Sequence, residues 1–118
     1  MELEHGSINY IEFAAKDIPA TKVFFKSVFD WSFEDYGEEY AAFTAKGLTG
    51  GFYQAELASS AEKGGALMVF YSANLEETLA AVEQANGKIN RDIFSFPGGR
   101  RFHFIEPSGN EMAVWSDK

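Results

Sequence analysis

The sequence contains no cysteine. Disulfide scaffolds, thiolate nucleophiles and Cys-ligated zinc or iron–sulfur centres are therefore excluded. Basic residues are few: 10 Lys and Arg stand against 18 acids, a formal net charge of −8. That balance argues against a phosphate-backbone partner such as DNA or RNA. Long apolar runs are missing too. The longest stretch free of charge, residues 64–75, is 12 residues long, short of the roughly 20 that a membrane-spanning helix needs. The opening Met-Glu-Leu-Glu-His has neither the basic start nor the apolar core of a secretory signal. The expectation is a cytoplasmic protein with no membrane and no nucleic-acid partner. Proline is scarce, 3 residues against 11 glycines, which points to ordered turns rather than a low-complexity chain.

What is present is aromatic. Of 118 residues, 16% are aromatic and 12 are Phe, enough for one domain with a substantial core. Residues 8–15 alternate like a strand, with Ile11, Phe13 and Ala15 on one face and Tyr10, Glu12 and Ala14 on the other. Asp17 reads as a helix N-cap, with Pro19 in the first turn and an apolar stripe of Phe24, Phe25, Val28 and Phe29 that ends near Asp30. Short strands are expected at residues 31–33, 40–45 and 51–55.

After a small, polar stretch at 58–65 the pattern restarts. Residues 66–72 are β-prone, and Asn74 with Glu77 makes a capping box. Leu75, Leu79 and Val82 give a second helical stripe, closed by Asn86-Gly87. Strands follow at 88–93, 101–105 and 111–115, with a loop at 94–99 and a tight turn through Pro107-Ser108-Gly109-Asn110. Each half reads β-α-β-β-β: a first module at 7–57, a linker at 58–65 and a second module at 66–116. An offset of about 57 residues superposes Asp17 on Asn74 and Thr21 on Thr78, and one of about 59 aligns Phe43 with Phe102 and Gly50 with Gly109, the mark of an internal repeat.

Two stretches are more specific. The first is I-N-Y-I-E-F-A-A-K-D-I-P-A-T-K-V-F-F-K-S-V-F-D-W, residues 8–31. The second is F-P-G-G-R-R-F-H-F-I-E-P-S-G-N-E-M-A-V-W, residues 96–115. Together they resemble the vicinal oxygen chelate superfamily, the glyoxalase, bleomycin-resistance and extradiol dioxygenase group, and within it the short bacterial glyoxalase-related proteins. Asp30 stands where Gly is usual in that family, and Glu106 where Asp is usual. The resemblance implies an α+β fold, in which two βαβββ modules form a cupped, mixed eight-stranded sheet with helices on its outer face. It also implies a divalent metal held in the cup by four side chains. Carried onto this sequence, those slots fall at Tyr10, Gln54, Leu67 and Ala113. None is an imidazole or a carboxylate, so neither a metal nor another cofactor is expected. The Lewis acid of the family's enzymes is lost with it.

Strand alternation supplies the remaining candidates. Tyr10, Glu12, Leu67, Val69, Tyr71, Arg101, His103, Glu111, Ala113 and Trp115 are expected to line the cup. His103 is a candidate acid/base or ligand-orienting donor, or a histidine paired with a nearby carboxylate. Glu12 is a candidate base, or an ion-pair partner of Arg101. Arg100 and Arg101 offer guanidinium forks for a carboxylate or phosphate, with Arg100 alternatively a solvated loop charge. Tyr10, Tyr71 and Trp115 offer a stacking platform. Residues 106–110 read as a structural turn. Gly98-Gly99 precedes no helix and makes no phosphate loop. The leading functional reading is a metal-free homodimer that binds a small organic molecule in an aromatic-lined cup, a sequestration protein of the bleomycin-resistance type. The alternative is a metal-independent lyase or isomerase using Glu12 and His103. A metal-dependent lyase or dioxygenase comes third, and a regulatory or structural dimer without ligand is the fourth.

Overall fold

The computed structural model describes residues 3–118. The first module runs β1 (Tyr10–Ala15), α1 (Ile18–Phe29), β2 (Ser32–Asp35), β3 (Tyr40–Ala45) and β4 (Leu48–Gln54). The second runs β5 (Met68–Tyr71), α2 (Leu75–Gln84), β6 (Lys88–Phe96), β7 (Gly99–Ile105) and β8 (Glu111–Ser116). Helix α1 starts where the Asp17 carboxylate accepts from the Ala20 amide at 3.0 Å, and Pro19 sits where no intrahelical N–H is required. It stops at Asp30, which takes the left-handed conformation at φ 59°. Helix α2 starts on Asn74, whose side chain accepts from Glu77 N–H, and Asn86 at φ 74° turns the chain away.

Each module forms its own sheet, in the orders β1-β4-β3-β2 and β5-β8-β7-β6. The first and third strands of each order pair with the second in parallel and antiparallel fashion respectively, so both sheets are mixed. This corrects the expected single eight-stranded sheet: within the chain there are two four-stranded sheets. The cause lies in the aromatic stripe of α1. Phe25 stacks on Phe52 of the first sheet at 5.6 Å between ring centroids. Phe24 meets Phe104 of the second sheet at 5.6 Å, and Phe29 stacks on Phe70 at 4.0 Å. One continuous core therefore takes the helix-facing side chains of both sheets. Burying each such Phe is worth about 1.5–3 kcal/mol. The apolar stripe of α1 thus packs against side chains of both sheets.

Two boundaries differ from the sequence reading for the same reason. β6 extends to Phe96, taking in half of the expected 94–99 loop, because antiparallel pairing with β7 continues to Phe96–Gly99. That ladder shifts register between Ile89 and Arg91 and again between Arg91 and Phe94, the irregularity of a β-bulge. β4 starts at Leu48 because β3 and β4 pair down to Ala45–Leu48.

The 58–65 segment is docked rather than loose. Ser59 N–H donates to Asn110 Oδ1 at 2.8 Å, Glu111 N–H to the Ser59 carbonyl at 2.8 Å, and Ala61 N–H to Glu111 Oε1 at 2.9 Å. The 106–110 turn ties the modules together, in keeping with a structural role. Glu106, 1% exposed, accepts from Thr21 Oγ1 at 2.6 Å, Ser108 N–H at 2.9 Å and Asn110 Nδ2 at 2.7 Å. Asn110 Nδ2 also donates to the Ala14 carbonyl at 2.8 Å. A buried carboxylate is tolerable only with partners of this kind.

Candidate functional site

The outward face of the second sheet holds a connected polar constellation. Alternation along β7 buries Phe102 and Phe104 in the core and turns Arg101 and His103 outward. His103 Nδ1 lies 2.8 Å from Glu111 Oε2, and its Nε2 lies 2.9 Å from Arg101 Nη2. A guanidinium has only donors. Arg101 therefore donates to Nε2, the ring proton sits on Nδ1, and Nδ1–H donates to Glu111. Asn90 Nδ2 donates to Glu111 Oε2 at 3.2 Å, and the docked 58–65 segment supplies Ala61 N–H to Oε1. Burial pushes the Glu111 carboxyl up, but the bonds from His103, Ala61 and Asn90 outweigh it and hold the group below the usual carboxylate range.

Around this relay the face is aromatic. Phe94 of β6 lies 6.1 Å from the His103 ring. The Arg91 guanidinium stacks on Phe94 at 3.8 Å from its centroid, and Arg101 lies 5.8 Å from the same ring. Farther along, Trp115 packs between Tyr71 at 5.2 Å and Phe96 at 6.3 Å. Arg91, Asn90, Ala61 and Phe94 were not singled out from the sequence. The bulges in β6 break the alternation by which Arg91 and Phe94 would have been found. Arg100, by contrast, turns away: its guanidinium forks onto Glu76 and its Nε donates to the Lys118 carbonyl at 3.0 Å.

The first sheet carries a separate, acidic and phenolic cluster. Tyr40 Oη donates to Glu12 Oε2 at 2.8 Å and lies 2.5 Å from Tyr10 Oη. Burial first, then the bonds to Tyr10 and Glu12, push the Tyr40 hydroxyl well above the ordinary tyrosine range. Gly51 lies beneath this pair: a Cβ there would run into the Tyr40 ring and hydroxyl. Glu12 is thus exposed and bound to a tyrosine, and the expected Glu12–Arg101 ion pair is not formed within the chain. No hydrogen bond or ion pair joins Glu12 to His103 among the described residues. Tyr40 was legible as an outward position of β3 and was missed.

The four metal slots do not fit a metal. Register pairs Glu12 with Gly51 and Val69 with Ala113, so Gly51 and not Gln54 is the counterpart of Ala113. The repeat offset is not constant, because the second module's β6–β7 hairpin is longer. Gln54 Nε2 instead donates to the Lys16 carbonyl at 2.7 Å. Ala113 is fully buried, Leu67 is half-buried, and Tyr10 is engaged with Tyr40. Among the described residues, no three His, Asp or Glu side chains cluster in a way that could hold a metal ion.

Two grooves run elsewhere. One of about 580 Å³ lies between Trp31, Leu48, Met68 and Tyr71, along the free edge of β5. A smaller one of about 350 Å³ lies beside the free edge of β1, lined by Glu12, Tyr53 and Leu57. Neither encloses the His103 relay. No helix among the described residues is long and apolar enough to cross a membrane.

The family model described as Glyoxalase/Bleomycin resistance protein/Dioxygenase superfamily matches residues 7–114. Among solved structures, the fold is similar to a glyoxalase-related enzyme from Fulvimarina pelagi, at 13% identity and a TM-score of 0.78, covering 94% of this chain and 88% of that one. It is also similar to a glyoxalase/bleomycin resistance protein/dioxygenase family enzyme from Burkholderia phytofirmans PsJN, at 12% identity and a TM-score of 0.77, covering 93% and 98%. A third is the fosfomycin resistance protein FosX from Listeria monocytogenes, at 12% identity and a TM-score of 0.74, covering 98% and 94%. Among curated proteins, no sequence relative matches.

Proposed function

This chain belongs to the glyoxalase/bleomycin resistance protein/dioxygenase superfamily, and on that premise we propose that it binds a small organic molecule against the outward face of its second sheet, without the metal common in that group. The observation that carries this reading is the juxtaposition of Trp115, Phe96, Phe94, Arg101 and His103 on one face. Aromatic walls with a few fixed polar groups are the usual make-up of a small-ligand site. A metal has no donor set at the four slots, so binding rests on stacking and hydrogen bonds alone.

The face is open within one chain, and β1 and β5 each leave one edge unpaired. Unpaired edges favour further strand pairing. In this reading two copies associate so that the first sheet of one lies beside the second sheet of the other, and the eight-stranded cup closes between them. The pairing would set the Tyr10–Tyr40–Glu12 cluster of one copy across from the Arg101–His103 relay of its partner.

Sequestration is favoured over catalysis by one feature of the relay. Both ring nitrogens of His103 are engaged, one with Glu111 and one with Arg101. A general base needs a free lone pair within reach of its substrate. The lyase or isomerase alternative requires Arg101 to swing away when the ligand enters.

The test combines metal analysis of protein purified without chelator, a thermal-shift screen of small organic compounds, and sedimentation to fix the assembly. Expected are no stoichiometric metal, a dimer, and compounds that raise Tm saturably without being consumed. Equimolar zinc, nickel, iron or manganese would overturn the metal-free reading. Consumption of a stabilising compound, abolished in a folded His103→Ala variant, would replace sequestration by catalysis.

A further inference from the structure

Arg101 is a half-buried cation without an anion. Its guanidinium carries five N–H donors, yet among the described residues its only hydrogen bond goes to His103 Nε2. Its Nε is shielded from water and has no partner. Among the described residues, Glu111 accepts from His103, Glu76 pairs with Arg100, Asp117 accepts from Tyr71, and Glu12, which the proposed dimer would set across from Arg101, accepts from Tyr40. Leaving donors of a charged group unpaired away from water is costly.

The surroundings are nevertheless built to hold that guanidinium in place. Glu111 orients His103, the Ala61 amide and Asn90 orient Glu111, and His103 offers its lone pair to Arg101. His103 and Glu111 have side chains only 7% and 10% exposed, so the relay is fixed. Arg91, which forms no ion pair among the described residues, stacks on the same Phe94 ring that Arg101 approaches. Two positive charges thus approach one aromatic ring, and neither forms an ion pair among the described residues.

We propose that this face is an anion-selective subsite, and that the ligand is an organic carboxylate on a planar apolar body. The carboxylate takes the open N–H groups of Arg101, and Arg91 adds its charge from the side. A guanidinium fork matches the planar pair of carboxylate oxygens. The planar body lies along Phe94 toward Trp115, which stands opposite Arg101 in the β7–β8 register. His103 is here a positioning residue that aims Arg101. This inference rests on the reading that the second sheet's face is the ligand site, and it adds the ligand's charge and shape.

Benzoate, the isosteric neutral benzamide and inorganic phosphate are the probes, read by thermal shift and calorimetry on the full chain. Benzoate is expected to raise Tm saturably, with benzamide and phosphate far weaker. Arg101→Gln should weaken benzoate by about tenfold or more, the loss of a charge-assisted hydrogen bond, and Arg91→Gln by less. Arg101→Lys keeps the charge and lacks the fork. It serves where Arg101→Gln fails to fold, and it should bind benzoate more weakly than the wild type. Equal shifts from benzoate and benzamide, equal binding of benzoate by the Arg101 variants and the wild type, or phosphate matching benzoate would overturn the proposal. A neutral compound that binds this face regardless of Arg101 overturns the anion subsite alone. The absence of binding by any compound in the wider screen overturns the small-molecule reading with it.

Discussion

His103 and Glu111 form a buried pair in which the ring proton on Nδ1 points at Oε2 across 2.8 Å. The carboxylate is bound by three donors in all, from His103, Ala61 and Asn90. Its removal leaves a buried imidazole N–H without an acceptor. Glu111→Ala should therefore cost about 1–3 kcal/mol, measured by urea denaturation. Asn90→Ala, which takes one exposed donor away, should cost less than that.

The same pair sets a pH dependence. The Glu111 carboxyl is held below its ordinary range in the fold. Such a group contributes its full stabilisation above the unfolded value, about 4.3 for a glutamate, and loses it as pH falls through the lower folded value. Tm should thus decline on acidification below about pH 5, and Glu111→Gln should flatten part of that decline. A variant as acid-sensitive as the wild type would mean that other carboxylates account for the whole slope.

The acidic cluster makes the opposite prediction at high pH. The Tyr40 hydroxyl is pushed up by burial and by its bonds to Tyr10 and Glu12. Its contribution to stability is complete below the unfolded value of about 10 and falls as pH rises beyond it. Absorbance titration should find a tyrosine that ionises only as the fold opens. Tyr40→Phe should remove that phase and leave the other tyrosines titrating.

The turn that joins the modules should be the costliest polar site to disturb. Asn110 spans three groups, donating to Glu106 and to the Ala14 carbonyl and accepting from Ser59 N–H. Asn110→Ala leaves a buried carboxylate and two backbone groups short of partners, at about 1–3 kcal/mol for a buried group left unpaired. Denaturant unfolding should show that cost, and limited proteolysis should show the 58–65 segment released.

At the end of α1, Asp30 occupies a left-handed position that favours glycine and places a negative charge at a helix C-terminus. Asp30→Gly should stabilise the chain by about 0.5–1 kcal/mol. A loss of stability on that change would show that the Asp30 side chain has a role beyond the cap.

The elements and caps were legible because they are local. Asp17 and Asn74 announce their helices, and the Phe24, Phe25, Phe29 stripe announces a buried face. The repeat was legible from those same caps. What the sequence could not convey is which sheet the stripe of α1 serves. It serves both: Phe25 meets Phe52 of the first sheet, and Phe24 and Phe29 meet Phe104 and Phe70 of the second. The Gln54 slot failed because the offset between modules changes along the chain, and Gly51 carries no side chain to advertise its place. Alternation placed Arg101 and His103 on the face opposite the buried Phe102 and Phe104. Glu111 was expected on the same face but not named as the partner of His103, and Asn90, Ala61 and Phe94 arrive through a bulge and a docked segment that leave no periodic trace.

Amide chemical-shift mapping by NMR, with a panel of small aromatic acids, amines and neutral amides, tests the central claim most directly. Saturable shifts are expected to cluster on β6, β7 and β8 around Phe94, Arg101 and Trp115, strongest for the acids. Saturable shifts confined to the groove between Trp31, Leu48 and Met68, or no saturable shift from any compound, would contradict it.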